Sequence, residues 1–457
     1  MNRSLINMVT KRYSVLFFGV LFIFLNLFSP LVKGQEVKEL SLQETINLSL
    51  KNSHILQASS AKIEQAQAQV KQAQNNRLPN ASVSGSYLYL ANPSYSLKTK
   101  SGGSDTSGNR GGLPKINQAM YGIFSVSLPI FTGGKIKYVI ESAKYLEQAM
   151  TLDADQDKEA VILNSVNAYI NLYKASVTLN VVKENLAQSR KTDSVLSRLE
   201  ENGLLARNDL LKSELQTSNI ELSLLDAESN LKMANVSMDL MIGYPETTIL
   251  KPDTTNIDKA ITIKTLDEYE QMALQNRKDM QALNFRKQSA VAGISMAKSD
   301  LYPSIALSGG DVAANIPGLV SISLATNIGV GVKYDLSSLW KSKANIAAAK
   351  SRVTEISANQ AQLSDDVRLQ VNQSYEDYLL SQKKTEVYNV AVVQAEENYR
   401  ITKNKFDNSL VTTTDLLDAN VALLTAQIRL AVARADVLLA YSKLLETSGI
   451  LSNTINQ

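Results

Sequence analysis

The sequence of 457 residues contains no cysteine and a single histidine, His54. The absence of cysteine excludes disulfides, thiolate metal sites, a cysteine nucleophile and a lipid-modified N-terminal cysteine. One histidine cannot support a metal site built on several imidazoles. The sequence also lacks GxSxG, P-loop and HExxH motifs, so most acid–base schemes have too few parts. We therefore expect no enzyme activity, no catalytic residue, no bound metal and no cofactor.

Aromatic residues are scarce, at 6% with one tryptophan, and no excess of one charge is present, with 47 basic and 44 acidic residues. Four of the basic residues, Arg3, Lys11, Arg12 and Lys33, precede the first acid of the chain. The remaining residues are nearly neutral in sum, which gives no reason to expect a nucleic-acid partner. The low aromatic content favours helices that pack through small and branched side chains.

The first 34 residues are typical of an export signal. Lys11 and Arg12 precede the apolar run from Val15 to Phe28, and Gly34 follows as a small residue near the cleavage point. An uncleaved membrane anchor is the alternative, although the run is short for a span of about 20 residues. We expect no later stretch to approach that apolar length, so that any later membrane insertion must use strands.

The stretch from Ser338 to Glu446 contains neither proline nor glycine and is rich in helix-forming residues. The polar segment from Phe406 to Thr414 is its one expected break, after which Asp415 can restart a helix. The first arm is then roughly 100 Å long, at about 1.5 Å per residue. A helix of this length is normally covered by other helices, which indicates helix-on-helix packing.

The chain repeats itself, which indicates one tandem duplication. In the first part of the repeat the shift is 224 positions, which matches Leu42, Glu44, Asn52 and Pro79 with Leu266, Glu268, Asn276 and Pro303. Further along the chain the shift is 206 positions, which matches Lys135, Tyr169, Asp209 and Gly243 with Lys341, Tyr375, Asp415 and Gly449. The difference between the two shifts implies an insertion in the first copy. The Gly/Ser-rich segment 101–112 has the composition of such a loop.

Each copy is predicted to contain a helix, two strands, a very long helix and a shorter helix, in a mainly α fold with a small β part. In the first repeat (35–243) the predicted elements are helix 41–76, strands 81–90 and 121–130, and helices 135–200 and 207–243. A connection follows at 244–264. In the second repeat (265–446) they are helix 265–299, strands 304–312 and 321–334, and helices 338–405 and 413–446, followed by a tail at 447–457.

The predicted strands alternate apolar and small or polar residues, as in Ile322, Leu324, Ile328 and Val330. This period of two indicates a sheet that is apolar on one side, and about ten residues per strand suffice to span an outer membrane. Four strands cannot close a barrel, since about eight are needed. If the strands lie in lipid, other copies must cover their edges, and three copies supply twelve strands. A soluble hairpin packed on the helices is the alternative.

These features together resemble the TolC-like outer-membrane efflux proteins. The most specific local matches are the turns from Leu199 to Leu210 and from Phe406 to Leu417, with Leu78–Pro79 and Leu128 to Gly134 at the strand–helix junctions. The resemblance implies a homotrimer with a trimeric α-helical barrel topped by a 12-stranded transmembrane β-barrel, in contact with outer-membrane lipid. It also implies a periplasmic adaptor (membrane fusion protein) and an inner-membrane pump of the RND or ABC type. Residues 244–264 and the tail would form a belt around the tunnel.

Asp415 and Asp418 lie three residues apart on one helix face, just after the second turn. The resemblance implies that aspartates at these positions ring the periplasmic entrance, where three copies place six carboxylates that favour cations. Alternatively Asp415 is an N-terminal capping residue and Asp418 a favourable first-turn acid, and the same alternative applies to Asp209 in the first repeat. The family's entrance tyrosine and arginine correspond here to Phe406 and Val411, which predicts closure by apolar packing or a looser aperture.

Aliphatic residues at the two predicted turns form a candidate docking surface for an adaptor hairpin: Gly203, Leu204 and Leu205 in the first repeat, and Ser409, Leu410 and Val411 in the second. Simple closure of the helical hairpins is the alternative interpretation. The resemblance thus predicts a passive exit duct of a tripartite efflux or type I secretion system. A soluble periplasmic coiled-coil adaptor or scaffold is the competing function, with a monomeric porin as a weaker third.

Overall fold

The computed structural model describes residues 37–91, 116–253, 262–317 and 320–455. The predicted signal peptide and the Gly/Ser segment 101–112 lie outside the described residues. The helices are α1 (Leu42–Asn52), α2 (His54–Asn75), α3 (Lys135–Glu201), α4 (Arg207–Ile242), α5 (Leu266–Asn276), α6 (Lys278–Ser299), α7 (Ser338–Asp407), α8 (Thr413–Thr447) and α9 (Leu451–Ile455). The strands are β1 (Val37–Leu40), β2 (Asn80–Tyr89), β3 (Gln118–Phe131), β4 (Ile249–Pro252), β5 (Ser304–Ile316) and β6 (Val320–Lys333).

Four strands form one antiparallel sheet in the order β2-β3-β5-β6. The central pair, β3 and β5, joins the two repeats, with Ser127 opposite Ser308. The register shifts near Pro129, where a missing N–H interrupts the ladder. Within the described residues, β2 and β6 each pair on one side only, so the sheet has two open edges.

Strand β5 extends to Ile316 and does not end at residue 312 as predicted. The polar residues Asp311 and Asn315 lie within the strand. In the structure the Thr326 hydroxyl of β6 donates to Asp311 Oδ1 at 2.6 Å, and Asn315 pairs with Ser321. Cross-strand partners thus carry the strand through polar positions.

The helices form a single curved layer that continues from the sheet. Near the sheet the neighbours run α2, α3, α6, α7, in the same order as the strands to which they connect. Farther away the order is α4, α3, α8, α7, because α3 with α4 and α7 with α8 form two helical hairpins. At 67 and 70 residues, α3 and α7 are each about 100 Å long and carry the two hairpin turns far from the sheet.

The predicted single helices 41–76 and 265–299 are each two helices, which corrects the prediction. They break at Ser53 and Arg277, where the backbone is extended (ψ 116° and 128°). Ser53 caps the helix that follows it, because its hydroxyl accepts a hydrogen bond from the Leu56 N–H at 3.3 Å. Arg277 has no comparable capping bond, so packing rather than local propensity fixes the second break.

Next to each break lies a glycine in the left-handed conformation, which ends another helix. Gly243 (φ 78°) follows α4, and the Asn52 side chain donates to the Ile242 carbonyl there at 2.5 Å. Gly449 (φ 70°) follows α8 and lies so close to Arg277 that an added Cβ would be 2.9 Å from its backbone nitrogen. The repeat therefore preserves the same helix-end contact in both halves.

The largest buried cluster lies where α4 and α8 end, about halfway along α3 and α7, and we call this level the mid-body. Tyr169 of α3 is fully buried there, and its hydroxyl donates to the Asp253 carbonyl at 2.6 Å. Strands β1 and β4 pair in parallel beside it, with Val37 opposite Ile249. The tail predicted at 447–457 contains α9, whose Leu451 belongs to the same cluster.

Helix α8 is apolar, with a mean hydropathy of 1.4 over its best 18 residues. By length and composition alone it is the one helix in the described ranges that could cross a membrane. This corrects the expectation that no stretch after the signal is apolar enough. Helix α8 packs against α7 and α3 as part of the helical layer, so many of its apolar side chains have protein neighbours.

Candidate functional site

The candidate site lies at the end of the molecule farthest from the sheet, where each hairpin turns. We call residues 202–206 and 408–412, together with the first turns of α4 and α8, the tip. In both turns the long helix ends with a left-handed residue, Gly203 (φ 70°) or Ser409 (φ 58°). The next residue, Leu204 or Leu410, donates its N–H at 2.8 Å to the carbonyl five residues earlier. This pattern is the Schellman motif, which satisfies the last carbonyls of a helix.

The leucines that follow these left-handed residues project from the tip. Leu204 is 74% exposed and Leu410 is 73% exposed. The next residues, Leu205 and Val411, are half-buried, as is Phe406 in the last turn of α7. The tip therefore presents one exposed leucine per hairpin above partly covered aliphatic side chains. Phe406 and Val411 are thus partly covered by the chain itself.

Asp415 belongs to a capping box at the start of α8. Its carboxylate accepts hydrogen bonds from the Thr412 N–H (2.9 Å) and the Thr412 hydroxyl (2.6 Å), while Thr412 Oγ1 accepts the Asp415 N–H at 3.2 Å. These bonds hold the pKa of Asp415 below its usual range. The N-cap residue of α8 is thus Thr412 and not Asp415, which is the acid of the capping box three residues later. The side chain is also exposed and ionised, so it still contributes charge to the tip.

Asp418 is exposed one turn farther along α8. Its counterpart in the first repeat, 206 positions earlier, is Lys212. The Lys212 ammonium group lies 3.1 Å from Asp209 Oδ1 and 3.5 Å from Thr414 Oγ1. Asp209 is therefore compensated by a lysine on its own helix, whereas Asp415 and Asp418 follow one another as two acids. The negative charge of the tip is concentrated in the second repeat.

Lys212 is a site residue that the sequence reasoning missed. The 206-residue shift that matches Asp209 with Asp415 also matches Lys212 with Asp418, and this comparison would have revealed the exchange of a base for an acid. The contact from Lys212 to Thr414 brings the starts of α4 and α8 together. It is a polar contact between the two hairpins, close to the position where Phe406 and Val411 were expected to pack or to leave a looser aperture.

Below the tip, the hairpin of α3 and α4 is joined by a cluster of hydroxyl groups. The Asp193 carboxylate accepts hydrogen bonds from the hydroxyls of Ser213 and Thr217, the latter at 2.5 Å. The Ser189 and Thr217 hydroxyls are 2.7 Å apart. Such buried bonds fix the register of the two helices and so hold the first turn in place.

The outer edges of the helical layer expose rows of aliphatic side chains. They are Leu211, Leu215, Leu222, Leu225 and Met233 on α4, and Leu369, Leu380, Val387, Val390 and Val393 on α7. Helices α4 and α7 lie at opposite edges of the layer, so each row lacks a neighbouring helix in the single chain. Apolar surfaces of this extent on soluble parts of proteins mark contact surfaces.

No group of three or more His, Asp or Glu side chains in the described part of the chain is arranged to hold a metal ion. The carboxylates of the tip lie on one exposed helix face and are not gathered in a cavity. Charge and shape at an opening are therefore the properties that this end of the molecule offers.

A family model described as outer membrane efflux protein matches residues 45–244 and 270–449, one match for each repeat. A curated relative, outer membrane protein TolC of Vibrio cholerae serotype O1, is 26% identical over 310 residues, covering 65% of this chain and 69% of the relative.

Solved structures share the fold along nearly the whole chain. CusC aligns with a TM-score of 0.76 at 17% identity, covering 89% of this chain and 92% of that one. VceC from Vibrio cholerae aligns with a TM-score of 0.71 at 19% identity, covering 89% and 96%. The open-state channel MtrE of Neisseria gonorrhoeae aligns with a TM-score of 0.66 at 18% identity, covering 90% and 89%.

Proposed function

The chain belongs to the outer membrane efflux protein family, and from that membership we propose that three copies form a passive exit duct through the periplasm and the outer membrane. As a member of the family, the protein is an outer-membrane efflux channel. The finer proposal concerns its assembly, its mouth and its partners. Transport energy would come from an inner-membrane pump of the RND or ABC type, because the chain itself carries no nucleotide-binding motif.

The open sheet is the observation that carries this proposal. Strands β2 and β6 have one unpaired edge each, and unpaired backbone groups are not tolerated in lipid. Pairing β6 of one copy with β2 of the next satisfies both edges and closes a barrel of twelve strands with three copies. At 10 to 14 residues, the strands are long enough to span a membrane when tilted.

The helical layer supports the same closure between neighbouring copies. Helix α4 lies at one edge of the layer and α7 at the other, and both edges are aliphatic. When one copy places its α7 beside the α4 of the next, both rows are buried and the layer closes into a tube. The same rotation that pairs the strands also pairs these helices, so one symmetry operation completes both parts.

At the mouth of this tube we propose that Asp415 and Asp418 form a ring of six carboxylates that attracts cations. Both side chains are exposed, and the capping bonds keep Asp415 ionised. Leu204 and Leu410 would then be docking points for the helical hairpin of a periplasmic adaptor, with Gly203, Leu205 and Ser409 shaping the turns. Phe406 and Val411 would close the aperture by apolar packing.

The mass of the detergent-solubilised assembly, measured by native mass spectrometry, tests the proposal. We expect three chains per particle in material extracted from membranes. The double variant Leu222→Lys, Leu225→Lys places two charges on the edge of α4 and is expected to yield single chains. Ser223→Lys, on the same helix, is the control for added charge. Wild-type particles of one chain, or protein recovered in the aqueous fraction, would overturn the duct.

A further inference from the structure

Where the sheet meets the helices, three strand–helix junctions enclose a pocket of about 440 Å³, here called the base pocket. It lies between the β3–α3, α6–β5 and β6–α7 junctions. Its charged lining residues are Lys135, Lys333 and Lys341 with Asp300 and Asp335. Three ammonium groups against two carboxylates leave the pocket with a net positive charge.

The two carboxylates are already engaged by the protein. Asp300 forms an ion pair with Lys135 at 2.9 Å. Asp335 Oδ1 accepts the Ser337 N–H at 3.0 Å, and hydrogen bonds from Ser337, with smaller contributions from Lys341 and Lys333, lower the pKa of Asp335. Among the described residues, neither Lys333 nor Lys341 has an ion-pair partner within 4 Å, so both charges remain available to a ligand.

Two very long helices begin at this pocket. Helix α3 starts at Lys135 and α7 starts at Ser338, and neither N-cap residue, Gly134 or Ser337, provides a side-chain capping bond. Helix N-termini attract anions through their free N–H groups and the helix dipole. An anion held between the lysines would therefore face the N-terminal ends of both helices.

A buried hydroxyl without a partner supplies an independent indication of a ligand. Ser338 lines the base pocket and is only 6% exposed, and its Oγ has no hydrogen-bond partner in the structure. Buried hydroxyls are nearly always bonded, because an unmet donor costs stability. Because Ser338 lines the pocket, an acceptor bound there is the candidate partner for this hydroxyl.

The surroundings of the pocket are those of a membrane interface. Trp340, the single tryptophan of the chain, is 67% exposed in the first turn of α7, and Leu336, Leu339 and Tyr302 are exposed beside the same junctions. Tryptophan and tyrosine accumulate where the apolar part of a membrane meets water. An anion that carries acyl chains would satisfy the pocket and this rim together.

We propose that the base pocket binds a phosphate group, and that its source is the headgroup of a membrane phospholipid. The Lys333 and Lys341 ammonium groups and the Ser338 hydroxyl would bind the phosphate oxygens, and the acyl chains would lie against the apolar rim. The lipid source rests on the proposed placement of the sheet in the outer membrane. The phosphate chemistry rests on the pocket alone.

Native mass spectrometry of the purified assembly with added phosphatidylglycerol tests this site. Diacylglycerol with the same acyl chains serves as the lipid without phosphate. We expect phosphatidylglycerol to be retained and diacylglycerol to be lost. The double variant Lys333→Gln, Lys341→Gln is expected to weaken retention by about 10-fold or more, since each lysine at an anionic headgroup contributes roughly 5-fold. Lys403→Gln, Lys405→Gln, on the same helix and about 90 Å away, is the matched control.

The same spectra separate the two proposals. A trimer that retains both lipids equally, or that loses phosphatidylglycerol equally in both double variants, overturns the phosphate site and leaves the duct intact. Competition with inorganic phosphate distinguishes the sources. If millimolar phosphate displaces the lipid, the pocket recognises the phosphate ion itself, and if it does not, the lipid headgroup is the ligand. Both results support the proposed phosphate chemistry.

Ser338→Ala gives a second and sharper measurement. Because the Ser338 hydroxyl has no partner in the free protein, its removal breaks no internal hydrogen bond. We expect the melting temperature without lipid to stay unchanged, while phosphatidylglycerol binding weakens by roughly 5-fold. A lower melting temperature with unchanged lipid binding would assign Ser338 a purely structural role and remove it from the site.

Discussion

Gly203 and Ser409 occupy the same position of the same turn, 206 residues apart. Each is the left-handed residue that ends a long helix, with φ of 70° and 58°, and each donates its N–H to the carbonyl three residues earlier at 2.8 and 2.9 Å. Ser409 is the one residue other than glycine in the described ranges with a positive φ. A side chain in this conformation costs about 1 kcal/mol, so the second turn is the more strained of the two.

Replacing each of these two residues by the other should relieve the backbone strain in the second turn and introduce it in the first. We expect Ser409→Gly to slow amide hydrogen exchange at the second turn by about 5-fold, and Gly203→Ser to accelerate it at the first turn by a similar factor. No atom lies within 4 Å of a Cβ added at Gly203, so the backbone conformation is the only cost there. Mass spectrometry of peptides that cover the two turns measures both rates. Equal exchange in wild type and Ser409→Gly would show that the turn is not strained.

Neutralising the second-repeat acids should reduce cation selectivity. Asp415→Asn with Asp418→Asn removes two charges per chain, and the amide oxygen at 415 can still accept the Thr412 bonds. We expect the reversal potential in planar bilayers to shift towards zero under a salt gradient. Asp226→Asn, exposed on α4 and about 25 Å from the turn, is the control for the loss of a carboxylate. Selectivity that is unchanged in the double variant would place the selective region elsewhere.

Charged substitutions at the tip should disrupt adaptor docking while the protein still forms channels. Leu204→Glu and Leu410→Glu replace two exposed side chains that make few contacts within the chain, so the fold is expected to persist. We expect less adaptor to co-purify after cross-linking in membranes, while the purified protein still forms conducting channels in planar bilayers. Asn208→Glu, an exposed polar position near the first turn, controls for the added charge. Equal adaptor recovery from all variants would exclude these leucines from docking.

A buried carboxyl near the mid-body should make stability depend on pH. Asp239 is fully buried in α4, and burial raises its pKa to about 6, against an ordinary value of 3.8. The protonated form is favoured in the folded state, so its stabilisation is complete below about pH 4 and is lost as pH rises through about 6. Between these two pH ranges the free energy of unfolding falls by about 3 kcal/mol at most because of this group. We therefore expect a lower melting temperature at pH 7 than at pH 4.5 from this group.

Asp239→Asn isolates this contribution, because the amide stays neutral at every pH. The variant should melt higher than wild type at pH 7 and nearly the same at pH 4.5. Asp226→Asn, exposed on the same helix, should follow the wild-type profile. If the melting temperature of Asp239→Asn differs between pH 4.5 and pH 7 as much as that of wild type, other groups cause the pH dependence.

The glycines at the two helix breaks should differ in their tolerance of a side chain. At Gly449 an added Cβ meets the Arg277 nitrogen at 2.9 Å and the Asn276 carbonyl carbon at 3.0 Å, and backbone cannot easily move. At Gly243 it meets only the Asn52 side chain, at 2.9 Å. We expect Gly449→Ala to cost about 3 kcal/mol or more and Gly243→Ala about 2. Gly203→Ala, with no close neighbour, is the reference, and equal melting temperatures for the three would contradict this order.

Composition and repetition were sufficient to indicate the long helices and the four strands. The absence of proline and glycine from Ser338 to Glu446 and the period-two alternation around Ile328 are strong local signals. The helix breaks were missed because Arg277 is an ordinary helix residue, and only Gly449, distant in sequence, makes an extended backbone favourable there. Strands β1 and β4 have four residues each and pair across about 200 positions, so no local pattern distinguishes them.

The tip was predictable in position but not in bonding. The turns follow from polar residues between two helical stretches, and the exposure of Leu204 and Leu410 follows from their place in them. A capping role at the start of α8 was considered for Asp415 itself, whereas the structure has Thr412 as the N-cap residue and Asp415 as the acid of its capping box. The pairing of Asp209 with Lys212 requires rotamers that sequence reasoning does not supply.

The position of the mid-body along the long helices has a mechanical consequence. Helices α4 and α8 end there, and from that level the two hairpins project roughly 50 Å to their turns. Each hairpin can therefore tilt as a rigid arm about the buried cluster around Tyr169. A tilt of only about 6° displaces the far end by about 5 Å, roughly the width of a side chain. A protein that binds the tips and tilts the hairpins would thus widen the opening, while the packing around Tyr169 scarcely changes.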